Sequence, residues 1–544
     1  MILNNNNING HRISFFLILC LFGIMAAQSS LIKNNDKQKR QSGERIYLEH
    51  TDELSFDSRG NHPDAQVLRG NVKFRHKGAV MTCDSAYFYQ ADNSFDAYSN
   101  VVITQGDSVE LTSDFANYNG NTEMAEAREN VVLTHNSSTL YTDNLNYDKL
   151  YSLAFFYDGG RLIDKDNTLV SDWGEYNLQN HEAIFNYDVK LNNPQFDLLT
   201  DTLHYNTDTK IAKIVGPSTI YSGTRIINTK SGYYDTQNKY VELTKKLPST
   251  DSIAKDSIAK DSIVKEEPKK EIKRTPGYMF SDQRNVIFTD TVNKNILICD
   301  YLYYKELEGL AIASDDPVTL EYSQGDTLYM HSDTIRMYTY NIDTDSVYRK
   351  IYCYNKVKAY RKDVQAVSDS MMFNSSDSCL TMYKEPILWN ENKQITGKNI
   401  KVYMADSTLK KIEVLQNAVA AEVTNDSTQF NQVSSRDIFA YFEDGELTRT
   451  DAVDYVISVF YPQDDKDSSA LMMNYIETDT MRLYLKDRQL VKIWAPQPEG
   501  MSYPLIQIPR GKDIVPGFVW YAYLRPTDRN DIFVWREKRS TKKK

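Results

Sequence analysis

The chain is poor in the residues and patterns that mark most functional classes. Glycine is sparse, at 22 of 544 residues, which with an ordinary apolar content of 41% excludes a collagen-like or wholly disordered chain. There is no cationic excess: 63 Lys and Arg face 74 Asp and Glu, a formal net charge of −11. A dedicated nucleic-acid binder, which needs cations over phosphate, is therefore a poor fit, and no nucleic-acid partner is expected. Only five cysteines occur, none in a Cys-x-x-Cys pair, so neither a zinc ribbon nor a thioredoxin-like motif is available. Beyond the first thirty residues no run is apolar enough to span a bilayer as a helix. What the chain has instead is tyrosine, 38 of them, with frequent Thr, Asn, Asp and Ser. Tyr and Thr favour strands while Asn and Asp favour tight turns, so the composition leans to β.

The beginning reads as a processing segment. His11 and Arg12 precede the apolar run from Ile13 to Ala27, which is short for a spanning helix and is followed by Gln28 and Ser29. This is the order of a secretory signal peptide, with cleavage expected near Gln28 and an uncleaved anchor as the alternative. Leu19 is bulky where lipoprotein processing at Cys20 would want a small residue. The mature chain is expected to be exported, to the periplasm and in association with the outer membrane or free of it.

An internal repeat follows. Thr51–Phe56, Cys83–Phe88, Ser113–Tyr118, Thr142–Tyr147, Ser171–Tyr176 and Thr200–Tyr205 share a small residue, then Asp, then an aromatic four positions later. Thr229–Tyr234 continues the series with Lys230 in the Asp slot, and the steps from Asp52 are 32, 30, 29, 29, 29 and 29 residues. Less regular copies follow at Asp300, Asp333, Asp369, Lys398, Asp437 and Asp479. The apolar positions two and four after the marker, such as Leu145 with Tyr147 and Leu203 with Tyr205, lie on one face of a strand. Cys83 and Cys299 sit in the Ser/Thr slot and read as small side chains. Cys353 and Cys379, about one repeat apart, are a candidate disulfide pair. A second strand signal lies about thirteen residues upstream of each marker, as in Asn100-Val101-Val102-Ile103, Asn130-Val131-Val132-Leu133 and Asp188-Val189-Lys190-Leu191. Each repeat is thus two short strands. The expected fold is all-β: an elongated β-jelly roll or solenoid-like stack of ~29-residue two-strand repeats.

Two stretches break the pattern. Asp251-Ser-Ile-Ala-Lys255 recurs at Asp256–Lys260 and, with Val264 in the Ala slot, at Asp261–Lys265 before Glu266-Glu267-Pro268, a solvated charged linker. From Trp494 onward prolines and aromatics replace the period, ending in a basic cluster that is either a solvated terminus or a contact for lipid or protein. The expected organisation is a signal peptide at 1–28, a polar segment at 29–44, a β unit at 45–247, the linker at 248–276, a second β unit at 277–495 and the tail at 496–544.

No catalytic constellation stands out. The eight histidines include no helical zinc pair, and the sequence holds no nucleophile elbow and no phosphate-cradling glycine loop. Ser252-x-x-Lys255 matches a short acyl-enzyme pattern but lies in the linker, and Asp464-Asp465-Lys466-Asp467 lacks the Gly and Glu of a calcium loop. An Asp recurring once per repeat is more economically a turn residue than a ladder of glycosidase carboxylates. Neither an enzyme, nor a metal, nor a cofactor is expected.

The order of Asn-Val-x-apolar strands alternating with Ser/Thr-Asp-x-x-x-Tyr strands resembles the OstA-like family of lipopolysaccharide-transport proteins, well over 45–245 and loosely over 277–490. The resemblance implies a β-jelly roll whose two sheets enclose an apolar groove for the acyl chains of lipid A. It also implies units that join edge to edge with other transport components, or with copies of themselves, across the periplasm. The candidate lining is Val101, Ile103, Tyr118, Val131, Leu133, Leu145, Tyr147, Val189, Leu191, Leu203 and Tyr205. Each buried CH₂ of a lipid would contribute about 0.8 kcal/mol there. The competing reading is a structural or adhesive exported β-solenoid in which the same rows form a closed core. A polysaccharide-active β-helix would need an out-of-pattern acid cluster, which is not seen.

Overall fold

A computed structural model describes residues 44–244 and 276–539, apart from 324, 343, 406–407, 425–427, 463–471 and 488. The signal segment, most of the charged linker and the Asp464–Asp467 cluster lie outside the described residues. The described chain is almost entirely antiparallel β, with one four-residue α-helical turn at Pro276–Met279 and three short 3₁₀ turns. It forms two compact units: residues up to Lys165 with Asp172–His181, and Asp166–Ser171 with Glu182 onward.

The first unit opens with the short strands β1 (Tyr47–His50) and β2 (Glu53–Ser55). Six long strands follow: β3 (Gln66–His76), β4 (Ala79–Tyr89), β5 (Ser94–Gln105), β6 (Val109–Asn119), β7 (Met124–His135) and β8 (Ser138–Asp148). The sequence leads one to expect two short strands per repeat. Here they fuse into single strands of 11 or 12 residues that turn a corner in the middle.

The corner has a local cause. Ser99 and Asn100, and likewise Glu129 and Asn130, hold positive φ, and the register slips there between Tyr98 and Val101 and between Arg128 and Val131. Asn tolerates this left-handed backbone better than most residues. Its side chain then donates to the marker Asp of the preceding strand: Asn71 to Asp52 at 2.9 Å, Asn100 to Asp84 at 2.7 Å and Asn130 to Asp114 at 2.6 Å. The repeated Asp is thus one half of a corner ladder.

Both halves of each strand keep their apolar side chains on the inside, on the strands that carry the extra corner residue and on those that do not. On β5 these are Phe95 and Ala97 before the corner and Val101 and Ile103 after it. The halves form two facing layers. Layer A holds Val72–His76, Ala79–Cys83 and their equivalents; layer B holds Ser85–Tyr89, Ser94–Tyr98 and theirs. Phe74 of layer A stacks on Phe95 of layer B with ring centres 4.3 Å apart. β9 (Leu153–Phe156), β10 (Gly160–Asp164) and, beyond the next strand of the chain, Trp173–Asn177 complete this unit.

The second unit takes β11 (Asn167–Ser171) and resumes after β12 (Trp173–Asn177, already described) with the long bent strands β13 (Glu182–Asn193), β14 (Phe196–Asn206), β15 (Ile211–Ser222) and β16 (Arg225–Asp235). From Val286 to Ala405 the two layers are separate ladders of four- to seven-residue strands, which is the two-short-strand repeat expected from the sequence. Four strands of 14 to 16 residues follow from Thr408 to Lys486, and the short strands Gln489–Trp494 and Glu499–Pro504, paired with the two halves of the last of them, end the series.

The proline-rich tail does not leave the fold. Val515, Leu524 and Ile532 are buried against Val419 and Val459, Ile387 and Trp389, and Ile298 and Val318. Val419 and Val459 alternate with Ala418 and Val456, the residues that follow the positive-φ corners, so the tail covers the outer face of layer A. Side chains clamp its backbone. Gln394 donates to the Val519 carbonyl and accepts from the Tyr521 amide, both at 2.8 Å, and Gln432 does the same at Asp513 and Val515. Basic residues expected to be solvated or to meet a partner are paired within the chain: Arg536 with Asp531, and Lys538 with Glu385 at 3.0 Å. Cys353 and Cys379 are corrected as a pair: both are free, buried thiols on separate strands.

Candidate functional site

Seven of the eleven candidate lining residues converge inside the first unit. Val101, Ile103, Val131 and Leu133 come from layer A, and Tyr118, Leu145 and Tyr147 from layer B; all are buried. Val189, Leu191, Leu203 and Tyr205 occupy the equivalent interior of the second unit. The pattern places them there because the step of two along each half-strand keeps alternate residues inward. Leu133 lies opposite Leu111 and Leu140 on its neighbours, and Leu203 opposite Phe185 and Ile214. Burying each Leu side chain is worth about 1.5–3 kcal/mol. The interior also contains Phe74, Met81, Phe88 and Phe95, which occupy the same repeat phases but were not among the candidates.

The tyrosines are not uniform apolar lining. Each presents its ring inward and its hydroxyl to a polar residue of layer A. Tyr118 Oη lies 2.7 Å from His76 Nδ1, Tyr176 Oη 2.8 Å from His135 Nδ1, and Tyr147 Oη donates to Gln105 Oε1 at 3.4 Å. In the second unit Asn167 donates to Tyr205 Oη at 3.1 Å. His76, Gln105 and His135 are the last inward residues of layer A on β3, β5 and β7, at the end away from the corner. They follow one another at the period of the repeat, a signal that scattered histidines did not reveal. Burial pushes the pKa of His76 and of His135 down and those of Tyr118 and Tyr147 up.

The hairpin tips meet above these pairs. Lys77, at the tip of layer A, pairs with Glu123, at the tip of layer B, at 2.6 Å. Lys149, from the next layer B tip, donates to the carbonyls of His76 and Lys77 at 3.0 and 2.9 Å, and burial holds its pKa down. The edge of the two layers opposite the corners is therefore a polar seam over an apolar interior.

Burial pushes the thiols of Cys83, Cys299 and Cys353 up to about 12, which disfavours their thiolate forms. Among the described residues no three or more His, Cys, Asp or Glu side chains are grouped to hold a metal ion. A cleft of about 410 Å³ in the second unit lies at the corner ladder, where Gly216 and Pro217 replace the bend asparagine. Its walls are mixed, with Asp188, Thr200, Asp201, Ser218 and Lys230 beside Leu199, Pro217 and Ile287, and it is not the buried interior row.

The fold and its interior define a class: a two-layered β protein built from corner-turning repeats around a long apolar row. Residues 43–201 match the family described as OstA-like protein, a match that covers the first unit and the start of the second. No curated protein matches the chain.

Proposed function

We propose that the chain binds a lipopolysaccharide-type amphiphile, with the acyl chains of lipid A between the two layers, and relays it through the periplasm towards the outer membrane. The observation that carries this reading is the row of buried apolar side chains repeated rung after rung in the segment that matches the OstA-like family, a lipopolysaccharide-transport family of the cell envelope. Equivalent rungs give acyl chains continuous apolar surface without one deep trap. No bond of the cargo need change, so the residues act by solvation alone. Partners would be other transport components that add strands to the unpaired sheet edges.

A closed structural solenoid is the second reading, favoured by the tight packing of the interior: Leu145, Leu191 and Leu203 have no solvent-exposed surface. The two readings part in one experiment. The full chain, purified from its own envelope with a photo-crosslinking amino acid in place of Tyr118 or Leu133, is irradiated and analysed for bound lipid, alongside native mass spectrometry. Covalent lipid A adducts at these positions are the expected result. A lipid-free chain that also takes up no added lipid A overturns the carrier reading in favour of the solenoid.

A further inference from the structure

The bonds that hold the seam of the first unit shut are of a different kind from those that hold each layer together. Within layer B the tips are tied backbone to backbone: Gly120 N donates to Asn93 O at 2.8 Å, and Lys149 N to Glu123 O at 2.9 Å. In layer A, Asn136 N donates to Ser108 O at 3.1 Å. Each row of tips is therefore a rail continuous with its own sheet. Across the seam the contacts come from side chains: Lys77 to Glu123, the Lys149 ammonium to two carbonyls, and the tyrosine hydroxyls to His76, Gln105 and His135. The N-terminal residues add a latch. Glu44 O accepts from His76 Nε2 at 2.8 Å, and Ile46 N donates to Asn93 Oδ1 at 2.8 Å, which brings the Ile46 side chain over Gly120.

Two ammonium groups, those of Lys77 and Lys149, sit in this seam. Among the described residues Glu123 is the carboxylate paired with Lys77, while both hydrogen bonds drawn from Lys149 go to neutral carbonyls and the carboxylates of Glu123 and Glu44 act on it through their charge alone. Parting the two rails would release both lysines beside the interior without disturbing either sheet. An amphiphile whose chains enter the interior leaves its head at this edge, because the head must stay with water. Cations at that place suit a negatively charged head, and a phosphate accepts several charge-assisted hydrogen bonds from lysine.

We propose that the seam of the first unit is the gate through which the amphiphile enters sideways, and that Lys77 and Lys149, which close it at rest, hold the anionic phosphate of the head group once it opens. The inference rests on the carrier reading above and deepens it, since it names which edge opens and which charge is recognised.

The test uses the full chain carrying Lys77→Cys and Glu123→Cys, bridged by a short, reducible bismaleimide. Uptake of fluorescent lipid A from micelles is measured before and after reduction of the bridge. The expected result is a loss of at least tenfold in uptake rate while tethered, with recovery on reduction. Because this variant lacks Lys77, its uptake is compared only between its own two states: equal and measurable uptake in the tethered and reduced states overturns the gate and leaves the carrier reading standing, while no uptake in either state, beside uptake by the unmodified chain, supports the head-group contact of Lys77. If the unmodified chain takes up no lipid A either, the carrier reading fails and the gate with it. For the head group, Lys149→Gln is expected to weaken bisphosphorylated lipid A about tenfold relative to its dephosphorylated form, with Lys149→Arg restoring the difference. An equal loss for both lipids overturns phosphate recognition by this lysine.

Discussion

His76 and His135 tie the buried interior to a pH-dependent stability. Each is an inward residue held neutral by burial, and each accepts or donates at Nδ1 to a tyrosine hydroxyl. Around His76 stand Tyr118, the Glu44 carbonyl, Lys77, Lys149 and Glu123; around His135 stand Tyr176, Asn136 and the stacked ring of His181. The folded-state pKa of both is depressed, so the folded chain resists a proton that the unfolded chain accepts at about 6.5. Their contribution to stability is therefore full above that pH and is lost as the pH falls below it. Glutamine already occupies the same repeat position at Gln105, where it bonds Tyr147 without titrating. The double variant His76→Gln, His135→Gln is expected to lose less melting temperature between pH 7.5 and pH 5.5 than the parent chain does. Identical slopes in calorimetry would remove the histidines from the pH response. Carboxylates that titrate over this range are common to both chains and cancel in the comparison.

At the scale of the element, the corner is what converts a repeat into two layers. Its parts were legible in the sequence only singly. The marker Asp and the Asn-Val strand start are both visible in the 29-residue period, and their reading as turn residues agrees with the Asp84–Asn100 and Asp114–Asn130 bonds. That they bond to each other across neighbouring strands was not legible, because the pair is separated by 16 residues and meets only when the strand bends. For the same reason two strand signals looked like two strands where β4 to β8 have one. The buried rows were readable in part: alternation places the candidate residues inward, but Phe74, Met81, Phe88 and Phe95 and the inward His76 and His135 were not picked out. Asn100→Ala removes the side-chain bond and places a residue with no local hydrogen bond in a left-handed backbone. The expected cost is about 1–2 kcal/mol. Asn100→Gly loses the bond but not the backbone freedom, and is expected to cost less. Urea titration of the two variants checks the order; Gly costing as much as Ala would mean that the Asp84 bond, and not the backbone, sets the corner.

For the molecule as a whole, the apolar content of the second unit is larger than two facing layers need. The outer face of its layer A carries Ile298, Val318, Ile387, Trp389, Val419 and Val459, all buried, whereas the corresponding outer positions of the first unit include Thr82, Thr104, Thr112 and Thr134, none fully buried. The tail resolves this difference. It supplies Val515, Leu524 and Ile532 as a third layer, and buried polar side chains fix its path at intervals. Gln432, Gln394 and Gln365 hold its backbone or Arg525, and Lys358 donates to the carbonyls of Asp531 and Val534 at 2.9 and 2.8 Å. A proline-rich segment suits this role, since it has few free amides to pair and little chain entropy to lose. Nothing periodic marks such a strap, which is why its course could not be traced from the sequence even though its change of composition was plain. Truncation before Leu505 would uncover the indole of Trp389, now fully buried, together with the aliphatic row beside it. The truncated chain is expected to bind a hydrophobic dye strongly, to melt at a lower temperature and to self-associate through the exposed face. The first unit, whose described residues include no such strap, is expected to keep its hydrogen-exchange protection. A truncated chain with unchanged melting and no dye binding would show that the outer face of layer A is stable without its cover.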